Sequence, residues 1–499
     1  MLLGLRGNFG NPSEVELSTS FWKEEGPFEL SPERGRFILA YSIVENASFK
    51  FSEKLALFGS PDVAVNQNGE YVSLFAPFLS FSIIPGFWIG KLFNISQVGA
   101  FSIISLFAVI NVFLIRKISR IWGVGKLSAT SAGFLFLFAT PAFAYGVNLY
   151  QHHVSTFLML LSILLILKYR NFFVLCLIFF ICTLALTLDY PNFFMFFPIG
   201  LAALTRFFDI KVISEKVKIS IKPLYIFSLS TMVIPVIFLL WFNYQSSGNP
   251  FQLSGTLQTI KSVKKDLVNE PQQGLQPSLE RRDKTAINFF ETRNLTNGLY
   301  LHFVSPDRGM IFYTPVMFFA IIGMIIAYKR RLPLIRIFFA IIGINILLYS
   351  MWGDPWGGWA FGSRYLIPSY ALLSIFIGIF LSKFSKNLFV TILFLIVLAY
   401  SIFVNTLGAI TSSANPPQIE VLAIEKLSGN EEKYTYFRNL DQLMAGNSKS
   451  FIFRSFAKNY LQAWQYFYAL FLFIFLSISS MTLLNFYLSK GGTFKWKKK

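Results

Sequence analysis

The sequence predicts an all-α integral membrane protein, and three observations predict it: an apolar composition, a series of apolar runs long enough to cross a bilayer, and basic clusters that fall in alternate loops. Of the 499 residues, 54% are hydrophobic and 14% charged, whereas a soluble domain carries roughly 25% charged residues. A water-soluble core has no use for that much apolar surface. The domains of ordinary size that length alone would suggest therefore give way to one membrane bundle.

Crossing a hydrocarbon layer of about 30 Å takes roughly 20 predominantly apolar residues. Eleven segments read as spans: 97–115, 128–147, 150–168, 171–188, 190–207, 223–242, 309–328, 333–352, 364–382, 388–408 and 465–488. Arg116, Lys117, Arg120 and Lys126 fill the first loop between them, a bare turn near Asn148 follows, then Lys168 and Arg170, then a bare turn at Asp189. The alternation continues through Arg206 to Lys222, through Lys329, Arg330, Arg331 and Arg336, through Lys383 and Lys386, to the terminal Lys495 to Lys499. Positive loops stay cytoplasmic, so this register is that of a multi-pass cell-membrane protein. Topology accounts for the net charge of +19, and no nucleic-acid partner is expected.

The same register puts residues up to 96, 243–308, 353–363 and 411–463 on the extracytoplasmic side. The chain then divides into a catalytic module over 1–410, with a first outer loop at 1–96 and a large one at 243–308, an outer insertion at 411–463, and a last span with a basic tail at 464–499. Residues 74–93 are also apolar, but counting them as a span would invert every later loop. They read as a juxtamembrane helix in or dipping into the outer interface, where Pro77, Pro85 and Gly86 are easier to place. Because residues 1–35 hold neither a span nor a signal-type apolar core, a first transmembrane helix is expected upstream of Met1.

Several chemistries are not written in the chain. Cys176 and Cys182 both lie in an apolar stretch, which gives no disulfide framework or CxxC metal site. There is no zinc-ligand spacing, phosphate loop or dinucleotide fingerprint, so a membrane-borne donor is expected in place of a nucleotide. No cofactor is expected, and a divalent cation is left open.

Ionisable groups near membrane depth mark function. In the first outer loop these are Glu33, Arg36, Glu45, Asp62 and Glu70. A carboxylate there is either merely solvated or a general base for an attacking hydroxyl or amine. His152 and His153 follow Tyr150 at the mouth of a helix; adjacent helical residues diverge by about 100°, so one of the pair faces a cavity. Asp189 is either an ordinary helix cap before Pro191 or a cavity residue. Asp307 and Arg308 precede one span, and Asp354 and Arg364 lie between two others. Arginine presents a planar fork of donors that fits phosphate. Trp352, Trp356 and Trp359 suit an interfacial belt, whereas Gly357, Gly358 and Gly362 point to close backbone approach.

Taken in order, these tracts resemble the GT-C superfamily of membrane glycosyltransferases, which includes protein O-mannosyltransferases and aminoarabinose transferases. Glu33, Arg36 and Phe37 match an acid followed by an Arg-aromatic pair. PDVAVNQNGEYVSLFAP, YQHHVS, LDYP, FNYQSSGNPF, SPDRGMIFYTPV and WGGWAFGSRYLIP follow in the family's order over roughly residues 30–385. The resemblance implies inverting transfer of a sugar from a polyprenyl-phosphate carrier to a glycan, lipid or protein acceptor outside the cytoplasm. Carried over, Glu33 takes the place of the catalytic acid, usually Asp in the family, with Asp62 second. Arg308 and Arg364 would clamp the carrier phosphate, and Arg36, His153, Asp189, Asp354 and Tyr365 would line the site. Flipping of lipid-linked saccharides is the alternative from another class, and polymerisation or ligation of surface polysaccharide shares the same outer-face chemistry. Polar motifs gathered on one face, without an internal repeat, favour an enzyme over a transporter.

Overall fold

The computed structural model describes residues 1–213, 216–259 and 289–491. Each segment read as a span coincides with an apolar helix. Five are long and apolar enough to cross a membrane, namely Ser96–Ile121, Pro223–Ser247, Arg364–Phe384, Leu388–Ile410 and Ala463–Leu488; the six others are shorter. The helix within 128–147 stops at Phe138, where Thr140 turns its hydroxyl back onto the Phe136 carbonyl and Pro141 follows. The basic tail and the middle of the large outer loop, 260–288, lie outside the described residues.

Hydrogen bonds define the two ends of the bundle. At one, Gly125 N donates to Ser382 Oγ, Arg206 to the Ile166 carbonyl and the Tyr225 hydroxyl to the Arg170 carbonyl. These are the loops that carry the basic clusters. At the other end Arg36 reaches Gln151, Gln151 reaches Asp189, and Asn148 reaches Ser413, so the loops with the unusual polar tracts converge there.

The apolar stretch before the first span forms a continuous helix, Phe78–Leu92, with Pro85 inside it. It packs back to back with Ser96–Ile121 through glycines: a Cβ on Gly99 would sit 2.0 Å from the Gly86 carbonyl oxygen, and one on Gly90 would sit 3.0 Å from Gly99 Cα. Only residues without a side chain permit that approach.

The all-α expectation is corrected in two places. A small antiparallel sheet orders Lys50–Phe51, Tyr71–Ser73, Val63–Val65 and Gln258–Thr259 side by side. Its central hairpin is closed by Asn66, whose Oδ1 accepts from the Asn68 and Glu70 backbone N–H groups. Strands of two or three residues are too short to leave a periodic trace in sequence. The second correction is the hairpin Phe208–Ile213 with Lys216–Ile221, which the sequence reading had treated only as a basic loop although it alternates apolar and polar residues.

Residues 411–463 do not stand apart. Arg6 and Ser450 form an antiparallel bridge, and Phe451 N donates to the Leu5 carbonyl. Asn439 binds Thr411 Oγ1 and the Ser412 carbonyl at the end of the Leu388–Ile410 helix.

Candidate functional site

The site is built outward from the helix Ser31–Asn46 in the first loop. Proline at its second position fixes the backbone angle the first turn needs. Glu33 Oε2 then accepts the backbone N–H groups of Glu29, at 2.8 Å, and Leu30, at 3.4 Å. Glu33 is 0% exposed and its other oxygen has no hydrogen-bond partner. Burial raises its pKa, opposed by the charge of Arg6. This is a helix-capping arrangement without a path to an incoming hydroxyl, and so the first-choice catalytic acid of the sequence reading is placed away from solvent.

One turn further on, Arg36 leaves the same helix into a different environment. Its Nη2 donates to Gln151 Oε1 at 2.8 Å, and Gln151 Nε2 donates to Asp189 Oδ2 at 3.0 Å. Its guanidinium lies 4.3 Å from the centroid of Phe75 and 5.6 Å from that of Tyr150. Burial lowers the pKa of Arg36, while Asp189 opposes the shift; burial raises that of Asp189, against Gln151 and the two arginines.

Arg364 meets the same ring, its guanidinium 4.8 Å from the Tyr150 centroid and 5.5 Å from that of Tyr365. Nη2 donates to the Gly357 carbonyl at 2.6 Å. Nε and Nη1 are buried and make no well-formed hydrogen bond, with the Tyr365 side chain as their near neighbour. Tyr365 stacks on Tyr349 at 4.3 Å. Gly357 has φ +73°, and a Cβ there would lie 3.0 Å from the Tyr365 ring and 3.2 Å from Arg364 Nε. The glycine tract is thus explained as backbone wrapped around an arginine. Asp189, Arg364 and Tyr365 keep partial exposure, so the group forms a recess with two guanidinium groups and one carboxylate.

Asp62 stands beside this recess. It directly precedes the strand Val63–Val65, is partly exposed, and accepts from Ser31 Oγ at 2.7 Å. Arg34 and Arg36 both feel its charge.

Three expectations are redirected by the geometry. Arg308 is 1% exposed, and all five of its N–H groups are spent. They bond to Asp307, through its carbonyl and carboxylate, and to the carbonyls of Trp356, Gly358 and Asn415. None is left for a phosphate. His153 is fully buried, its Nε2 2.7 Å from the Ala142 carbonyl; its neighbour His152 faces the recess instead, stacked on Tyr150 and edge-on to Tyr365. Asp354 is exposed and accepts from Gly358 N at 2.6 Å, holding the glycine turn. The sequence reading also passed over Tyr150, Gln151 and Tyr349. The first two sit in YQHHVS, directly before the histidines.

A second space opens on the other side of the Ser31–Asn46 helix, a cavity of about 960 Å³ between the first loop and residues 411–463. At its edge Glu29 pairs with the buried Arg6 at 2.5 Å and accepts both N–H and O–H of Ser413. Burial alone would raise the Glu29 pKa, but Arg6 and Lys449 outweigh it and pull it to about 2. A depressed carboxylate stabilises the fold above its unfolded value near 4.5, and that contribution is lost as pH falls toward 2. The thermal midpoint of the purified protein is therefore expected to drop on acidification through this window. Glu29→Gln should start lower and lose much of that slope; an unchanged slope would show that other carboxylates carry it.

Among the described residues no three His, Cys, Asp or Glu side chains group to hold a metal.

No protein-family model matches the chain, and no curated protein matches it. Among solved structures the chain is similar to apo ArnT from Cupriavidus metallidurans, with 13% identity, a TM-score of 0.47, and coverage of 97% of this chain and 74% of that one. A likeness at that level assigns neither residues nor chemistry.

Proposed function

We propose that the chain is a glycosyltransferase that moves a sugar from a polyprenyl-phosphate carrier in the cell membrane to an acceptor on the extracytoplasmic face. The observation that carries this reading is the recess at the polar end of the bundle, where Arg36 and Arg364 share the Tyr150 ring and Nε and Nη1 of Arg364 have no well-formed hydrogen bond. A phosphate ester at the end of a lipid matches that charge, that fork and that position beside apolar helices.

In this scheme Asp62 takes the proton of the acceptor hydroxyl as its oxygen attacks the anomeric carbon. The bond from that carbon to the phosphate oxygen breaks, and its electron pair leaves with polyprenyl phosphate. Arg364 and Arg36 stabilise the charge that gathers on the phosphate. Attack from the face opposite the leaving group inverts the anomeric centre. Gln151 and Asp189 orient Arg36 for this task.

The test is incubation of the purified full chain, in lipid nanodiscs, with polyprenyl-phosphate-linked sugars. Release of polyprenyl phosphate with a glycosylated acceptor supports the reading. Movement of the carrier across liposome membranes without cleavage would replace it with a flippase.

A further inference from the structure

We propose that the cavity between the first loop and residues 411–463 is the acceptor site, and that the acceptor is an anionic, hydroxyl-rich saccharide; this rests on the glycosyl-transfer reading above. At about 960 Å³ the cavity is at the upper end of the range for small-molecule sites, roughly 300–1,000 Å³. Its volume suits several sugar rings.

The two walls differ in charge. Residues 411–463 supply Arg438, Lys449, Arg454 and Lys458, whereas the first loop supplies Glu24, Glu25 and Glu29, with Arg34 as its one cation on the lining. Glu29 is already engaged by Arg6 and Ser413, and Arg438 by Glu432. That leaves the charges of Lys449, which also bonds the Gly26 carbonyl, of Arg454, which bonds the Glu25 carbonyl, and of Lys458 on the lining with Glu24 and Glu25. Ser31, Thr411, Ser412, Gln442 and Asn447 add hydroxyl and amide groups on the lining, and Trp359 adds an aromatic one. With Leu30, Pro61, Ala414 and Phe453 between these groups, the lining matches the hydroxyl edges and apolar faces of sugar rings.

Polarity also gives the ligand a direction. An acidic wall accepts hydrogen bonds from sugar hydroxyls, and a cationic wall holds a carboxylate or phosphate. The hydroxyl end would then point toward Ser31 and Pro61, two lining residues that touch or adjoin Asp62. An acceptor seated in the opposite sense would bring its anion beside the acid that has to take its proton.

The experiment is calorimetric titration of the purified full chain with tetragalacturonate, using maltotetraose as the neutral control. Tetragalacturonate is expected to bind at least tenfold more tightly than maltotetraose and to weaken as salt rises. The variant Arg454→Glu with Lys458→Glu should lose tenfold or more, while Arg454→Lys with Lys458→Arg keeps the affinity and shows that charge, not folding, is at issue. Equal affinity for both oligosaccharides, or no loss in the Glu variant when its thermal midpoint is unchanged, overturns the proposal. Release of polyprenyl phosphate is scored separately: binding without release leaves this site standing and removes the transferase, and release without anion-selective binding does the reverse.

Discussion

Replacing Arg364 by alanine is expected to lower the rate of transfer by about 10²–10³-fold, the scale seen when a pre-aimed donor to developing charge is removed. The three N–H groups on Nε and Nη1 are lost at once, together with the fixed charge over the Tyr150 ring. Lysine should recover only part of the rate, since it offers a point charge where the phosphate meets a planar fork. Folding should survive the change. Arg364 makes one well-formed hydrogen bond to the chain, to Gly357, so the thermal midpoint of the alanine variant should move far less than its activity. Rates of polyprenyl phosphate release, measured beside thermal unfolding, check this. An alanine variant with near wild-type turnover would take the phosphate out of this recess.

The second large effect separates two acids. Asp62→Asn should reduce turnover by about 10²–10⁴-fold, the range for loss of a general base, with stability close to the parent. Glu33→Gln should act differently, because the amide oxygen still accepts from the Glu29 and Leu30 N–H groups, and activity should stay within a few-fold. Glu33→Ala removes the cap and should destabilise by about 0.5–2 kcal/mol. Paired measurements of turnover and unfolding on the three variants decide between the acids. Normal turnover in Asp62→Asn, with loss in Glu33→Gln, would return the base to Glu33 and require the first loop to open during catalysis.

How much of this was legible beforehand follows from what imposes each feature. The spans were readable because a bilayer demands apolar runs of fixed length, and the grouping of loops at two ends because basic residues collect in alternate ones. Arg36, Asp189, Arg364 and Tyr365 were legible as members of polar tracts between spans, and the structure brings these four around Tyr150. Arg308 shows the limit. In sequence it and Arg364 are equivalent: each is an arginine in a loop just before a span. Only the folded chain shows that one has every donor occupied and the other does not. Glu33 stood out in the sequence only by its place in a motif and Glu29 not at all, and it is Glu29 that pairs with Arg6 and binds Ser413. The strands around Asp62 are too short to show a period, and one partner lies about 200 residues away; only Asn68-Gly69, in the loop between Val63–Val65 and Tyr71–Ser73, was a local hairpin signal.

The five hydrogen bonds of Arg308 also bear on how this chain can be cut and recombined. They join the loop exit at 307, the glycine tract at 356–358 and the start of the insertion at Asn415, while Asp307 holds Gln418 N. A graft or deletion that removes residues 411–463 would therefore strand a buried guanidinium short of an acceptor and a buried carboxylate short of a donor. The Asp307–Arg308 pair itself would remain, but leaving each buried group short of a hydrogen-bond partner costs about 1–3 kcal/mol, a sizeable share of what holds an ordinary domain together. For an engineer the insertion is not a detachable module: any chimera has to carry all three segments from the same parent.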